Sequence, residues 1–181
     1  MSFHPTVKVG GDQDDIIRKS PTKLMRKPML PAIPKFDHAF RLSLKFREPF
    51  RYSSTTGYRA ALNIGSGTAK GPKLDAHVAD DGGELMVIRP DGILDWDSRM
   101  MLCAKDGAMI YLRARGHIMA GIEGARTFFE TGELSASKLQ LSPYFDTPKG
   151  PHDWMTRSGF IALGTIGSGL ADIDVFHVTA E

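Results

Sequence analysis

The chain contains a single cysteine, Cys103, which excludes an internal disulfide and any multi-cysteine metal site. On its strand this residue reads as a small packing group rather than a nucleophile. Charge of one sign is equally scarce: the net charge of +2 argues against a whole-molecule polyanion binder. No apolar run approaches the length that spans a bilayer. The N-terminus lacks the apolar core of a secretory signal, because Gly10, Gly11, Asp12, Asp14 and Asp15 stand where that core belongs. A cytoplasmic location without membrane association is the expectation.

Catalytic and binding motifs are also missing. The six histidines show no HxxxH or HxH spacing, so no metal is expected. There is no Gly-x-Ser-x-Gly nucleophile elbow and no interleaving of aromatic and basic residues of the RNA-binding kind. Gly65-Ser66-Gly67 lacks the Lys-Ser/Thr ending of a phosphate loop and reads as a tight turn or bulge. Gly164, Gly167 and Gly169 precede no helix pattern and fail as a dinucleotide fingerprint. Neither a cofactor nor a nucleic-acid partner is expected.

What is present is an ordinary globular composition, 41% hydrophobic and 24% charged, in a length that suits one domain. Residues 1–35 stand apart as a basic, Pro-rich extension, with a short helix candidate capped by Asp12 and basic residues from Arg18 to Lys27. That basic stretch reads as a solvated arm, with contact to a partner as the alternative. Residues 36–181 form a single β domain. Phe40, Leu42, Leu44 and Phe46 alternate with Arg41, Ser43, Lys45 and Arg47, the period-two signal of a strand with one wet face. Further strands are predicted at Arg59–Ile64, Leu74–Val78, Glu84–Arg89, Leu139–Leu141, Gly159–Leu163 and Ile173–Val178. One amphipathic helix is predicted over 121–131, with Ile122, Ala125, Phe128 and Phe129 on its apolar face and Gly132 as C-terminal cap. Many short strands and one helix argue for an antiparallel barrel or sandwich.

The segment from Leu94 to Gly116 is the most informative. A three-residue loop, Lys105-Asp106-Gly107, makes it a hairpin that pairs Cys103 with Met109, Met101 with Tyr111, Arg99 with Arg113, and Asp97 with Arg115. One face then carries Trp96, Met100 and Leu102 against Ile110, Leu112 and Ala114. The other gathers Asp97, Tyr111, Arg99, Arg113 and Arg115. The residues alone leave open whether the charged face meets water or lines a pocket.

Three blocks resemble the domain of unknown function 3237 family. They run from Gly57-Tyr58-Arg59 to Gly71-Pro72-Lys73-Leu74, from Arg89-Pro90-Asp91-Gly92 through Asp97-Ser98-Arg99 to Tyr111, and through Pro143-Tyr144-Phe145-Asp146-Thr147 to Trp154. The resemblance implies a lipocalin-like antiparallel β-barrel with a central pocket, assembled as a homo-oligomer, and cofactor-free chemistry on aromatic or polyketide-like compounds. It also favours turning the charged hairpin face inward. In that arrangement Asp97 is the general base and Tyr111 the proton donor, while Arg99 and Arg113 stabilise an oxyanion. Tyr144 and Trp154 become aromatic walls, or remain core and rim aromatics. His77 is a second candidate base or a surface histidine, and Arg89 reaches the pocket mouth or anchors its turn. The function expected is that of a lyase or isomerase acting on a small, oxygenated, anionic aromatic molecule. The alternatives are a non-catalytic carrier or sensor barrel, and an interaction module whose charged face is outside.

Overall fold

A computed structural model describes residues 32–79 and 82–180. The predicted helix near residue 12 and the basic stretch up to Lys27 lie outside the described residues. Ten strands follow in order: β1 (Pro34–Phe46), β2 (Phe50–Ser54), β3 (Gly57–Lys70), β4 (Asp75–Val78), β5 (Gly83–Ile88), β6 (Ile93–Ala104), β7 (Met109–Met119), β8 (Ser137–Asp146), β9 (Gly159–Gly167) and β10 (Leu170–Ala180). Helix α1 (Gly121–Thr131) joins β7 to β8, and a 3-10 turn (Asp153–Arg157) joins β8 to β9.

All pairings are antiparallel, and β1 closes the sheet by pairing with both β10 and β3. The result is an eight-stranded barrel, because β4 and β5 lie end to end in one position between β3 and β6, and β2 and β1 pair with successive lengths of the opposite edge of β3. Closure removes the open edges that would otherwise template aggregation. The glycine-rich Gly65-Ser66-Gly67 is a bulge inside β3: Lys45 pairs with Ser66 and Phe46 with Ile64, so Gly65 is the extra residue. Strand β2 was not legible in the sequence.

The lumen is filled by side chains. Phe40, Trp96, Met100, Leu112, Phe145 and Ile173, from five different strands, are all essentially inaccessible. Aromatic rings meet edge-to-face across the interior: Phe46 on Trp96 with centroids 6.0 Å apart, and Phe40 on Phe145 at the same distance. Among the described residues, these side chains occupy the centre where the family resemblance implied a ligand-sized pocket. Beneath α1, a void of about 30 Å³ borders Phe46, Leu62, Met86 and Phe128, room for about one water.

Helix α1 has the predicted bounds and the predicted left-handed Gly132 cap, whose N–H donates to the Phe128 carbonyl. Ala125 and Phe128 are buried, but Ile122 is 65% exposed, so the predicted apolar face is narrower than its sequence spacing suggests. Arg51 reaches from β2 to cap the helix end, its Nη1 donating to the Phe129 carbonyl at 2.9 Å.

Candidate functional site

The hairpin of β6 and β7 forms with the predicted register, from Cys103 opposite Met109 outward, around Gly107 at φ +87°. Its orientation is the reverse of the one the family resemblance favoured. Trp96, Met100 and Leu112 fill the barrel, and Asp97, Arg99, Tyr111, Arg113 and Arg115 lie on the outer face. The reason is packing: the apolar faces of all the barrel strands must converge on one lumen, and ion pairs on the outside avoid the desolvation that an arginine-lined interior would demand.

On the outer face, registry lays the side chains out in rungs across neighbouring strands. One rung runs Val87, Asp95, His117, Gln140, Leu163. The next runs Ala61, Leu85, Asp97, Arg115, Ser142, and a third runs Asn63, Gly83, Arg99, Arg113, Tyr144. The first two rungs form a groove of about 800 Å³. Its walls are apolar, with Leu85 and Val87 on one side and Ile161 and Leu163 on the other. Between them lie Asp95, Asp97, Arg115, His117, Gln140 and Ser142. Gly116 lies in the floor, where a Cβ would come within 1.9 Å of the Gln140 carbonyl, so only glycine lets β7 press this closely on β8.

Asp97 is fully engaged. Arg113 donates to it from Nε at 3.2 Å and Nη2 at 3.0 Å, and Arg115 from Nε at 3.0 Å and Nη2 at 2.8 Å. The hydrogen bonds from Arg113, opposed in part by desolvation and reinforced by those from Arg115, lower its pKa to about 2. A carboxylate that holds its proton so weakly is a poor general base at neutral pH. Its oxygens hold the guanidinium of Arg115, which lines the groove.

The other predicted residues divide between this face and the rest of the barrel. Arg113 bridges Asp97, and Arg99 borders an adjoining hollow. Tyr111 lies one rung beyond them, opposite Met101 and Asp146, and makes no bond to Asp97. Arg89 grips Asp91 in the Pro90-Asp91-Gly92 turn and also donates to Asp95 at 3.4 Å on the outer face, away from the barrel centre whose mouth it was expected to reach. Tyr144 sits exposed opposite Arg113. Trp154 belongs elsewhere, in a cluster with Phe160, His177 and the Lys73 ammonium, which stands 5.4 Å from its ring centroid. His77 is exposed on β4, opposite Cys103. Tyr144 and Trp154 thus form no common aromatic wall.

The residue pair that the sequence reading missed is Asp95 and His117. His117 Nδ1 lies 2.9 Å from Asp95 Oδ1, and no described group bonds its Nε2. In the neutral ring with Nδ1–H donating to Asp95, Nε2 presents a free lone pair. The signal was available: the hairpin register continued one rung past Asp97 and Arg115 places Asp95 opposite His117.

Among the described residues, no group of three or more His, Cys, Asp or Glu side chains is arranged to hold a metal ion. No helix among them is long and apolar enough to cross a membrane.

Comparison with known proteins supports the fold. The profile of the family described as "Protein of unknown function (DUF3237)" matches residues 34–178. A UPF0311 protein of Rhodopseudomonas palustris is 25% identical over 126 residues, covering 68% of this chain and 82% of its own. The crystal structure of a conserved protein of unknown function from that organism superposes with a TM-score of 0.74 at 20% identity, covering 81% of this chain and 99% of that one. A beta-barrel like protein from Acinetobacter baumannii gives 0.71 at 17% identity, covering 83% and 99%. The structure of an enzyme from Penicillium herquei gives 0.56 at 18%, covering 84% and 98%.

Proposed function

The chain belongs to the family of proteins of unknown function termed DUF3237, and from that premise we propose that its outer groove binds a small oxygenated, ring-bearing molecule and transforms it by acid–base chemistry of the lyase or isomerase kind. The observation that carries this reading is the His117–Asp95 pair, 2.9 Å apart, with Nε2 unengaged in a groove that has apolar walls and a guanidinium beside it. His117 Nε2 takes a proton from a hydroxyl or an acidic carbon of the substrate. Asp95 stabilises the resulting imidazolium. Arg115, oriented by Asp97 and 64% exposed, faces the oxyanion or enolate that develops. Returned to a different substrate atom, the proton completes an isomerisation; delivered to a departing hydroxyl, it completes the elimination of water. Leu85 and Val87 at one side, and Ile161 and Leu163 four strand spacings or about 19 Å away, supply apolar surface on which either end of a ring-bearing molecule can rest. Support of a coarser kind comes from the Penicillium herquei neighbour, which is described as an enzyme.

Benzoylacetone, an aryl diketone with an acidic carbon, provides a test through deuterium exchange followed by NMR. The expected result is exchange accelerated by the wild type, reduced about 100-fold or more in His117→Ala and less severely in Asp95→Asn. Acceleration that survives in His117→Ala contradicts the reading. Saturable binding without exchange in either protein supports a non-catalytic carrier instead.

A further inference from the structure

Next to the groove, and sharing Leu85 and Asp97 with it, lies a second hollow of about 430 Å³. Ala61, Asn63, Gly83, Arg99 and Glu84, whose side chain is buried on the lumen side, complete its lining. Registry explains the hollow: Asn63, Gly83 and Arg99 form one rung, and the middle position has no side chain. A Cβ on Gly83 would meet only the Leu62 carbonyl at 3.4 Å and Asn63 Oδ1 at 3.6 Å, so the space above the glycine is open.

Arg99 stands directly opposite Arg113, a like-charge pair that is unfavourable unless anions separate the two. Arg113 resolves its side by turning to Asp97, which Arg115 also engages. Asp97 is thereby saturated, and no described group bonds the Arg99 guanidinium. One cation is left over at the edge of an open hollow, with the side-chain amide of Asn63 across the gap.

Building on the groove reading above, we propose that the ligand is two-ended: a reactive oxygenated ring beside His117 and a single carboxylate held by Arg99 and Asn63. One unpaired guanidinium matches one negative charge, and its planar fork suits a carboxylate. Asp95, opposite His117, lies four residues from Arg99 along β6, which at strand rise is about 13 Å. The substrate class is therefore an extended aromatic acid, with its reacting group and its carboxylate at opposite ends.

A matched pair of probes tests this: 4-hydroxybiphenyl, and 4′-hydroxybiphenyl-4-carboxylate, which differs only by the acid. Calorimetric titration at low ionic strength is expected to show the acid binding wild type about tenfold more tightly than the neutral phenol. In Arg99→Gln that ratio falls to near one through weakening of the acid alone. Gly83→Leu, which fills the hollow and removes no charge, is expected to reduce the ratio in the same way. A tenfold preference that survives in Arg99→Gln, or that disappears in Arg115→Gln but not in Arg99→Gln, overturns the assignment. If wild type binds neither probe, the groove reading fails, and this inference with it. If both bind equally to wild type and more weakly to His117→Ala, the groove stands and the carboxylate end alone is wrong.

Discussion

Two carboxylates on neighbouring strands, Glu84 on β5 and Asp97 on β6, show how differently the two faces of this barrel treat the same functional group. Glu84 points into the lumen, 4% exposed, and neither of its oxygens has a hydrogen-bond partner among the described residues. Burial pushes its pKa well above the usual carboxylate range. Asp97, opposite Leu85, accepts four guanidinium hydrogen bonds, and its pKa falls to about 2. Inside, burial leaves the carboxyl without a partner among the described residues; outside, arginines supply four hydrogen bonds. Groups that keep a charge at neutral pH therefore lie on the outer face, while the packed lumen supplies the stability that keeps that face in shape.

The contrast can be broken most strongly from within. Trp96→Ala removes a lumen-filling ring that packs on Phe46, and is expected to cost about 3–5 kcal/mol in urea denaturation. Arg99→Gln, three residues along the same strand but on the outer face, is expected to stay within about 0.5 kcal/mol. Costs of equal size for the two would contradict the assignment of the faces.

Glu84 gives the next largest effect. With its pKa raised in the folded state, the carboxyl contributes stability in full below the ordinary carboxylate range, and that contribution is lost as pH rises toward the folded-state value. Denaturation from pH 4.5 to 8 is therefore expected to show wild type losing stability relative to Glu84→Gln. At pH 7, Glu84→Leu is expected to be more stable than wild type by about 1–3 kcal/mol, because it removes an unpartnered buried polar group. A wild type that gains on Glu84→Gln as pH rises would show that the carboxylate has a partner.

Asp97 runs in the opposite direction. Its lowered pKa means that stability is present above the ordinary value and lost as pH falls toward about 2. Asp97→Asn is expected to cost about 1 kcal/mol at pH 7, after allowance for solvent screening of a partly exposed cluster. The gap between the two proteins should close between pH 4 and pH 2. An Asn variant equal to wild type at pH 7 would mean that the arginines gain nothing by gathering there.

The hairpin was legible because its signals are local. Gly107 in a three-residue loop fixes the register, and period-two alternation then assigns every side chain to one of two faces. Which face turns inward is a property of the whole barrel, and the hairpin alone carries no information about it. The decisive hint lay in β1, where Phe40, Leu42, Leu44 and Phe46 alternate with charged and polar residues. A barrel that turns that apolar side inward requires the same of β6. The groove was less legible still. Leu85 and Val87 reach Leu163 only through pairings among β5, β6, β7, β8 and β9, and the end-to-end placement of β4 and β5 in one position leaves no local mark. His117 was illegible for a simpler reason: it lies one residue beyond Gly116, where the segment with a clear apolar–polar alternation ends.

The most direct test of the account is a crystal structure of the protein soaked with 4′-hydroxybiphenyl-4-carboxylate. The predicted result is a ligand lying along the outer groove between Leu85 and Leu163, its phenol oxygen within hydrogen-bond reach of His117 Nε2 and its carboxylate on Arg99. A ligand that enters the lumen beside Trp96, or settles against Trp154 and leaves the groove empty, would contradict it.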